Sequence, residues 1–306
     1  MARIYDKAYM GDGIIPFQEA SLSIGSSAVL YGLSVYTVFP VHLTASGERV
    51  AFRLDDHYKR LCDSARIIGI DTFEPAWPRE RFMTAVSELI AANQPDEAVF
   101  VRVTVHVDAL VAGTRSRGLH TVLSMFVYEA QPIVPQDGAR LKTSVWRRIP
   151  DYAIPSRAKV NGAYVNSVLA KQDALDSGYD DCIFLDTDGH VCELSAANIF
   201  IVRHNTLITP DATSDLLEGI NRRTVLELAR DMGIPVAERT IDLTELYIAD
   251  EVFVSGTSAY LAPVKEIDGR QIATGDPEHI LSRLQTKYRQ VLRGEDPEYT
   301  HLTTRL

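Results

Sequence analysis

Residues 193–222 read "ELSAANIFIVRHNTLITPDATSDLLEGINR", and they open on a charged side chain in an apolar setting. Glu193 lies on a predicted strand between Cys192 and Leu194, and the run that follows is mostly small or apolar. Burial of a carboxylate is costly unless a positive group meets it. We therefore expect Glu193 either to face solvent or to pair with a cation, for which a protonated pyridine nitrogen would serve.

The same stretch ends where a helix is predicted to begin. Gly219 and Ile220 lead into Asn221, which the pattern predicts as the N-cap of a helix that continues to Met232. Free backbone N–H groups at a helix N-terminus bind anions. Further along the chain, "SGTS" at residues 255–258 forms a hydroxyl-rich turn after a predicted strand. The helix start is therefore a candidate anion site, and the hydroxyl-rich turn is a separate candidate element.

A lysine lies upstream of both, in "SRAKVNGAYVNS" at residues 156–167. Most lysines lie on solvated surfaces, and a loop position would be the ordinary explanation for Lys159 taken alone. Lys159 nevertheless precedes a helix predicted from about Tyr164 to Ser177, among small and polar side chains. Together with Glu193, the candidate anion site and the hydroxyl-rich turn, it is a candidate reactive amine.

Composition narrows the functional class. The chain has 306 residues, 46% of them hydrophobic, and a formal net charge of −10, so no basic field favours nucleic acid. The first twenty residues lack the uninterrupted apolar segment of a secretory signal peptide. No later stretch approaches the ~20 apolar residues of a membrane span. The three cysteines lack C-x-x-C spacing. We expect a cytoplasmic protein without a metal site, a nucleic-acid partner or a membrane partner.

Hydrophobic patterns divide the chain into two halves. The segment "LDDHYKRLCDSARII" at residues 54–68 has helical spacing, a second helix is predicted near 82–92, and "VFVRVTVHV" at 99–107 alternates strictly, as a strand does. The segment "AQPIVPQDG" has the proline, glycine and polar content of a linker. We therefore predict two domains, 1–131 and 132–306.

The run from Glu193 to Arg222 closely resembles the signature of the class IV aminotransferases, which are fold-type-IV pyridoxal-phosphate enzymes. The likeness extends along almost the whole chain, through "LYGLSVY", "FRLDDHYKRL", "AKVNGAY", "ADEVFVSGTSA" and "EDPEYTHLTTRL". It implies an α+β, two-domain fold with a small N-terminal α/β domain. The larger C-terminal domain would contain a pseudo-barrel of mixed strands and bind pyridoxal 5'-phosphate.

The resemblance assigns a role to each candidate residue. Lys159 would be the Schiff-base lysine and the carrier of the substrate's α-proton, and Glu193 would keep the pyridine nitrogen protonated. The remaining cofactor contacts would come from a guanidinium on the first helix, a tyrosine hydroxyl, a leucine against the ring, and the phosphate-binding groups described above. These residues are Arg60, Tyr164, Leu217, Ile220, Asn221 and Thr257. The family often has threonine where Asn221 stands, so this chain lacks one side-chain hydroxyl of the family pattern.

The substrate pocket departs from the branched-chain amino-acid aminotransferases, the group that the chain most resembles. Their pattern carries a glycine and a cation where this chain has "YTVFP" at residues 36–40, an arrangement more like D-amino-acid and (R)-selective amine transaminases. By contrast, Phe100 and Arg102 resemble the branched-chain strand. The expected substrate-contacting residues are Tyr31, Tyr36, Val38, Phe100, Arg102, Thr257 and Ser258.

Several functions remain open at this point. The preferred interpretation is transfer of an amino group between an amino acid, with branched-chain L-amino acids favoured, and a 2-oxo acid such as 2-oxoglutarate. The alternatives are a D-amino-acid or (R)-selective amine transaminase, an aminodeoxychorismate lyase and a non-enzymatic cofactor binder. Arg115 and Arg117 are either loop cations for a second carboxylate or solvated arginines. The resemblance also implies a homodimer or higher homo-oligomer with shared active sites, near Tyr31 and the Arg115 loop.

Overall fold

The computed structural model describes residues 2–110, 113–274 and 278–306. Its helices are α1 (Ser27–Tyr31), α2 (Leu54–Ile67), α3 (Phe73–Ala76), α4 (Arg79–Asn93), α5 (Tyr164–Asp176), α6 (Ile220–Asp231), α7 (Leu243–Leu246) and α8 (Ile280–Leu292), with 3₁₀ helices at Phe17–Glu19 and Pro297–Leu302. Its strands are β1 (Ile4–Met10), β2 (Gly13–Pro16), β3 (Ser34–Leu43), β4 (Arg49–Phe52), β5 (Val99–Val107), β6 (Thr121–Glu129), β7 (Ala139–Arg147), β8 (Asp181–Leu185), β9 (Val191–Leu194), β10 (Asn198–Arg203), β11 (Thr206–Thr209), β12 (Val236–Glu238), β13 (Glu251–Gly256), β14 (Tyr260–Ile267), β15 (Arg270–Gln271) and β16 (Thr303–Arg305).

The described chain forms two compact units. One contains Met1–Gln131, Ala158–Ala163 and Gln290–Leu306, and the other contains Pro132–Arg157 and Tyr164–Arg289. One break between them coincides with the predicted boundary after residue 131, whereas two segments of the predicted C-terminal domain group with the first unit. The division into domains 1–131 and 132–306 therefore stays a prediction.

The first unit is built on a seven-stranded sheet in the order β16-β4-β3-β5-β6-β1-β2. Each strand pair in it is antiparallel. The valines of β5 lie on one face, in an apolar core that also receives side chains of α2 and α4. The other face of β5 carries Phe100, Arg102, Thr104 and His106, because successive side chains of a strand point to opposite faces. The strict alternation of residues 99–107 thus gives β5 one aliphatic face and one mixed face, which carries aromatic, polar and charged side chains.

The second unit contains a closed barrel. Strands β10, β13, β14, β7, β8 and β9 are hydrogen-bonded in that order, and the pairing of Glu193 with Asn198 joins β9 back to β10. The β14–β7 and β7–β8 pairs are parallel, while the other pairs of the ring are antiparallel. This mixed ring and the accompanying helices confirm the predicted α+β class and the pseudo-barrel. Glu193 lies at the position where the ring closes.

The cysteines at 62, 182 and 192 are buried and free. Across residues 2–110, 113–274 and 278–306, no helix is long and apolar enough to cross a membrane. Within the same ranges, no group of histidine, cysteine, aspartate and glutamate side chains is arranged to hold a metal ion.

Candidate active site

The segment that carries Lys159 is fixed to the first residues of β3. Tyr36 N donates to Lys159 O at 3.0 Å, and Asn161 N donates to Ser34 O at 2.9 Å. The close approach depends on glycine, since a Cβ on Gly32 would lie 2.9 Å from Gly162 Cα, closer than real Cβ atoms come. The backbone of Lys159 therefore has little freedom to move relative to the sheet.

The side chain of Lys159 lies against an aromatic ring. Its Nζ is 4.9 Å from the centroid of the Tyr36 ring. The residue is half-buried, and its backbone N donates to Ser64 Oγ of α2 at 3.1 Å. A lysine amine held over a ring in this way is not the solvated loop lysine of the ordinary explanation.

Four of the predicted substrate residues share one face of the sheet. Val38 is directly opposite Arg102 in the antiparallel register of β3 and β5, and Phe100 and Tyr36 lie on the same face. The Arg102 guanidinium lies 3.8 Å from the centroid of the Tyr36 ring. This face combines aromatic and aliphatic surface with one cation, a composition that suits an apolar side chain or a carboxylate.

Sequence reasoning missed Tyr128 on this face. Its ring centroid lies 5.6 Å from that of Phe100, and it is opposite Phe100 in the β5–β6 register. Burial raises the pKa of the Tyr128 hydroxyl against a smaller lowering by Arg102. Strand alternation could have identified Tyr128 once the pairing of β5 with β6 was known.

Arg60 projects from α2 toward the other face of β3. Its Nη2 donates to Thr37 Oγ1 at 3.3 Å, and Thr37 Oγ1 also meets His57 Nδ1 at 2.7 Å. Since Thr37 and Tyr36 are adjacent on the strand, their side chains point to opposite faces. The structure therefore does not place Arg60 on the face that carries Arg102.

In the second unit, Glu193 is buried and held by several donors. It is 5% exposed, and its Oε1 lies 3.0 Å from Arg148 Nη2. Asn198 Nδ2 donates to Oε2 at 3.1 Å, and the Leu217 N–H reaches the two oxygens at 3.2 and 3.3 Å. Arg148 is thus a cation beside Glu193 within the protein itself, and sequence reasoning missed it because the end of β7 gives no signal of what it faces.

The start of α6 differs in detail from the prediction. Gly219 is the N-cap and Asn221 is the second helical residue, so the predicted N-cap at Asn221 is wrong. A Cβ on Gly219 would collide with Asn198 Oδ1, which explains why glycine occupies the cap. The Asn221 side chain instead donates to Thr257 Oγ1 at 3.3 Å and accepts from the Tyr288 hydroxyl at 2.9 Å.

These contacts leave a group of donors suited to an anion. The first N–H groups of an α-helix have no acceptor within the helix, and the helix dipole favours negative charge there. Ile220 and Asn221 supply such N–H groups on a helix that runs to Asp231. The Asn221–Thr257 contact places the Thr257 hydroxyl beside the same helix end. The second unit thus contains a candidate anion site and a buried carboxylate.

The remaining candidates occupy helix ends and turns. Tyr31 is the last residue of α1 and is 45% exposed, and Tyr164 is the first residue of α5. Ser258 lies in the turn after β13, where its carbonyl accepts from Ile133 N. The arginines at 115 and 117 lie in the loop before β6. The roles that the resemblance gives to these five side chains stay predictions.

Pyridoxal 5'-phosphate matches the chemistry of these groups. Its phosphate suits the N-terminus of α6, its pyridine nitrogen suits the carboxylate of Glu193, and its aldehyde suits the amine of Lys159. The Glu193 carboxylate accepts hydrogen bonds at both oxygens, which fixes its orientation on the barrel. Taken group by group, the chemistry of these residues suits the cofactor that the sequence resemblance implies.

Comparisons with known proteins agree with this chemistry. A family model described as amino-transferase class IV matches residues 34–267. A probable branched-chain-amino-acid aminotransferase of Synechocystis sp. is 34% identical, with 95% of this chain and 94% of that protein covered. The branched-chain-amino-acid aminotransferase of Escherichia coli K12 is 31% identical, with 95% and 94% covered.

Solved structures give the same result. The branched-chain aminotransferase of Thermoproteus uzoniensis, solved with norvaline, has a TM-score of 0.93 at 33% identity, with 98% of this chain and 99% of that chain covered. The T.th. branched-chain amino acid aminotransferase, complexed with N-(5'-phosphopyridoxyl)-L-glutamate, has a TM-score of 0.89 at 33% identity, with 98% of each chain covered.

Proposed function

The chain belongs to the class IV aminotransferases, and from that membership we propose that it transfers amino groups between branched-chain L-amino acids and 2-oxoglutarate. Transamination and the cofactor pyridoxal 5'-phosphate follow from the family and from the cofactor-bound forms of related structures. The choice of substrates is the proposal. The face that combines Arg102 with Tyr36, Val38 and Phe100 is the observation that carries it.

This face has a suitable group for the substrate of each half-reaction. Aliphatic side chains gain about 0.8 kcal/mol per buried methylene, and Val38 and Phe100 supply apolar surface for them. A 2-oxo dicarboxylate needs a cation for its distal carboxylate, and Arg102 supplies a planar guanidinium. The T.th. relative has been solved both with the glutamate adduct and with 4-methylvaleric acid, which are ligands of these two kinds.

We assign the chemical roles by residue. When bound, pyridoxal phosphate supplies an aldehyde carbon that receives the amino group and a ring that accepts an electron pair. Lys159 Nζ holds the cofactor covalently and carries the proton that leaves the substrate's Cα. The Glu193 carboxylate holds a proton on the pyridine nitrogen. The remaining cofactor contacts are proposed for Arg60, Tyr164, Leu217, Ile220, Asn221 and Thr257.

Val38 supports a second class of substrates, D-amino acids and (R)-amines, as an alternative. Val38 is 9% exposed and stands directly opposite Arg102, so it takes space that a glycine would leave open. The aromatic-x-valine arrangement of residues 36–38 resembles D-amino-acid and (R)-selective amine transaminases. Side activity on such donors is consistent with this narrower lobe.

A panel of half-reactions separates the two substrate classes. The holoenzyme is mixed in turn with L-leucine, D-alanine and an (R)-arylalkylamine, and the conversion of cofactor to its pyridoxamine form is followed by absorbance. We expect L-leucine to react readily, because its side chain gains free energy on burial in the apolar lobe. The other donors should react more slowly but measurably, because discrimination in such a lobe amounts to only about 1–3 kcal/mol per methylene. If L-leucine is inert while D-alanine or the amine reacts, the branched-chain proposal is wrong.

We also propose that the enzyme is a homodimer or a higher homo-oligomer. On α5, Val165 and Val168 are each 64% exposed and Leu169 is 41% exposed, at helical spacing on one face. Exposed apolar patches of this kind mark interaction surfaces. The family resemblance implies that Tyr31 and the Arg115 loop lie near a shared active site.

Sedimentation of the holoenzyme tests the assembly. We expect at least twice the monomer mass of 34.0 kDa, and a double change of Val165 and Val168 to glutamate should shift the equilibrium toward monomer. The matched control replaces exposed Gln172, a polar α5 residue whose side chain donates to Asp176 in the same helix, by glutamate. A wild-type monomer with full activity would refute both the assembly and the sharing of active sites.

A further inference from the structure

Asn161 connects the lysine segment to the cation on the mixed face of the sheet. Its Oδ1 accepts from Arg102 Nη2 at 3.0 Å, and its Nδ2 donates to Ser34 Oγ at 2.7 Å. Its own backbone N donates to Ser34 O at 2.9 Å. Both the main chain and the side chain of Asn161 are therefore fixed to the first residue of β3.

These contacts determine which way the amide faces. A guanidinium only donates hydrogen bonds, so the atom of Asn161 that meets Arg102 must be the oxygen. The nitrogen is then directed at Ser34 Oγ, which can accept from it. The amide of Asn161 thus presents a fixed acceptor to Arg102.

Arg102 is held from two further directions. Its guanidinium lies on the Tyr36 ring, and its backbone position is set by the pairing with Val38 and Phe126. His106 also faces this part of the sheet, and burial together with the charge of Arg102 lowers its pKa to about 4. His106 and Asn161 are therefore both neutral near pH 7, and neither cancels the positive charge of Arg102.

We propose that Asn161 is a positioning residue that selects for dicarboxylate acceptors by fixing the Arg102 guanidinium without neutralising it. The proposal rests on the proposed function, because it takes the distal carboxylate of 2-oxoglutarate as the ligand of Arg102. A neutral amide oxygen is suited to this role. A carboxylate in its place would orient the guanidinium equally well but would compete with the substrate for its charge.

The test compares two acceptors on the pyridoxamine form of the full-length enzyme. Initial rates with 2-oxoglutarate and with 4-methyl-2-oxopentanoate give a ratio of kcat/KM values. Any change at Lys159, two residues away, affects both acceptors alike and cancels in this ratio. We expect Asn161→Ala to lower the ratio about 10-fold, chiefly through KM for 2-oxoglutarate, because a charged hydrogen bond that orients Arg102 is lost.

Asn161→Asp separates positioning from mere structural support. Aspartate matches asparagine in shape but adds a negative charge beside Arg102, so we expect it to lower the ratio about 100-fold, more than alanine does. Ser34→Ala removes only the anchor of the amide and should lower the ratio about 3-fold. It also serves if an Asn161 variant fails to fold. The matched control is Ser124→Ala, which removes a hydrogen bond to His106 on the same face and should leave the ratio unchanged.

Two results would overturn the proposal. One is an equal loss with both acceptors in the Asn161 variants and in Ser34→Ala, and the other is an Asn161→Asp ratio close to that of the wild type. Failure of the proposed function gives a different result, since the wild-type enzyme would then turn over neither acceptor, or would not use 2-oxoglutarate at all.

Discussion

Replacement of Lys159 by alanine should lower the rate of amino transfer at least about 10³-fold, because one amine both holds the cofactor and moves the α-proton. Its position supports this assignment, with Nζ over the Tyr36 ring and the backbone fixed to β3. The measurement is a single-turnover half-reaction with L-leucine. Lys59→Ala, at an exposed position on α2, is the matched control and should retain wild-type rates.

Chemical labelling tests the same residue without a mutation. Borohydride reduction of the holoenzyme, followed by peptide mapping, should place the cofactor on Lys159. Two other lysines are occupied in ion pairs, Lys142 with Asp173 at 2.8 Å and Lys171 with Asp181 at 3.1 Å. Label on either of them would contradict the assignment, whatever the rate of the alanine variant.

Individual helices and strands could be predicted from the sequence. The spacing of apolar residues at 54–68 predicted α2, and the strict alternation of residues 99–107 predicted β5, because burial on one face imposes a period on the chain. The barrel came from the family resemblance rather than from periodicity. Its strands β8 and β9 are short and buried on both faces, so they show no alternation from which a ring could be inferred.

The contacts between distant residues of the site could not be predicted from the sequence. The ion pair of Arg148 with Glu193 joins two distant parts of the sequence, and it depends on the register of a parallel strand pair that no local pattern encodes. The N-cap of α6 was misplaced because asparagine is a common cap. In the structure Gly219 is the N-cap, and Asn198 leaves no room for a Cβ at that residue.

Replacement of Glu193 by glutamine should retain the cofactor and lower the rate about 10²-fold or more. The carboxylate contributes most when negative charge enters the pyridine ring, so its loss affects the transition state more than cofactor binding. The measurement is the half-reaction rate at full cofactor occupancy, determined by absorbance of the purified variant. Near-normal turnover would show that Glu193 does not hold the proton on the pyridine nitrogen.

The surroundings of Glu193 require a control for structural damage. Both of its oxygens accept hydrogen bonds, and a glutamine has one acceptor oxygen, so its NH₂ group must face Arg148, Asn198 or the Leu217 N–H. Glu251→Gln is the matched variant. Glu251 is also 5% exposed on a barrel strand, and its carboxylate accepts from the backbone N–H groups of residues 280 and 281 at the start of α8.

The two variants should behave differently because only one carboxylate serves the cofactor. Glu193→Gln and Glu251→Gln each leave buried donors poorly satisfied, which costs about 1–3 kcal/mol of the free energy of unfolding. Only Glu193→Gln should also lose the rate. A third variant, Arg148→Gln, keeps the Glu193 carboxylate but removes its cation, so it should destabilise the second unit by about 3–5 kcal/mol while its rate falls less than that of Glu193→Gln. Equal rate losses in all three variants would mean that damage to the barrel, rather than loss of the Glu193 charge, lowers the rate.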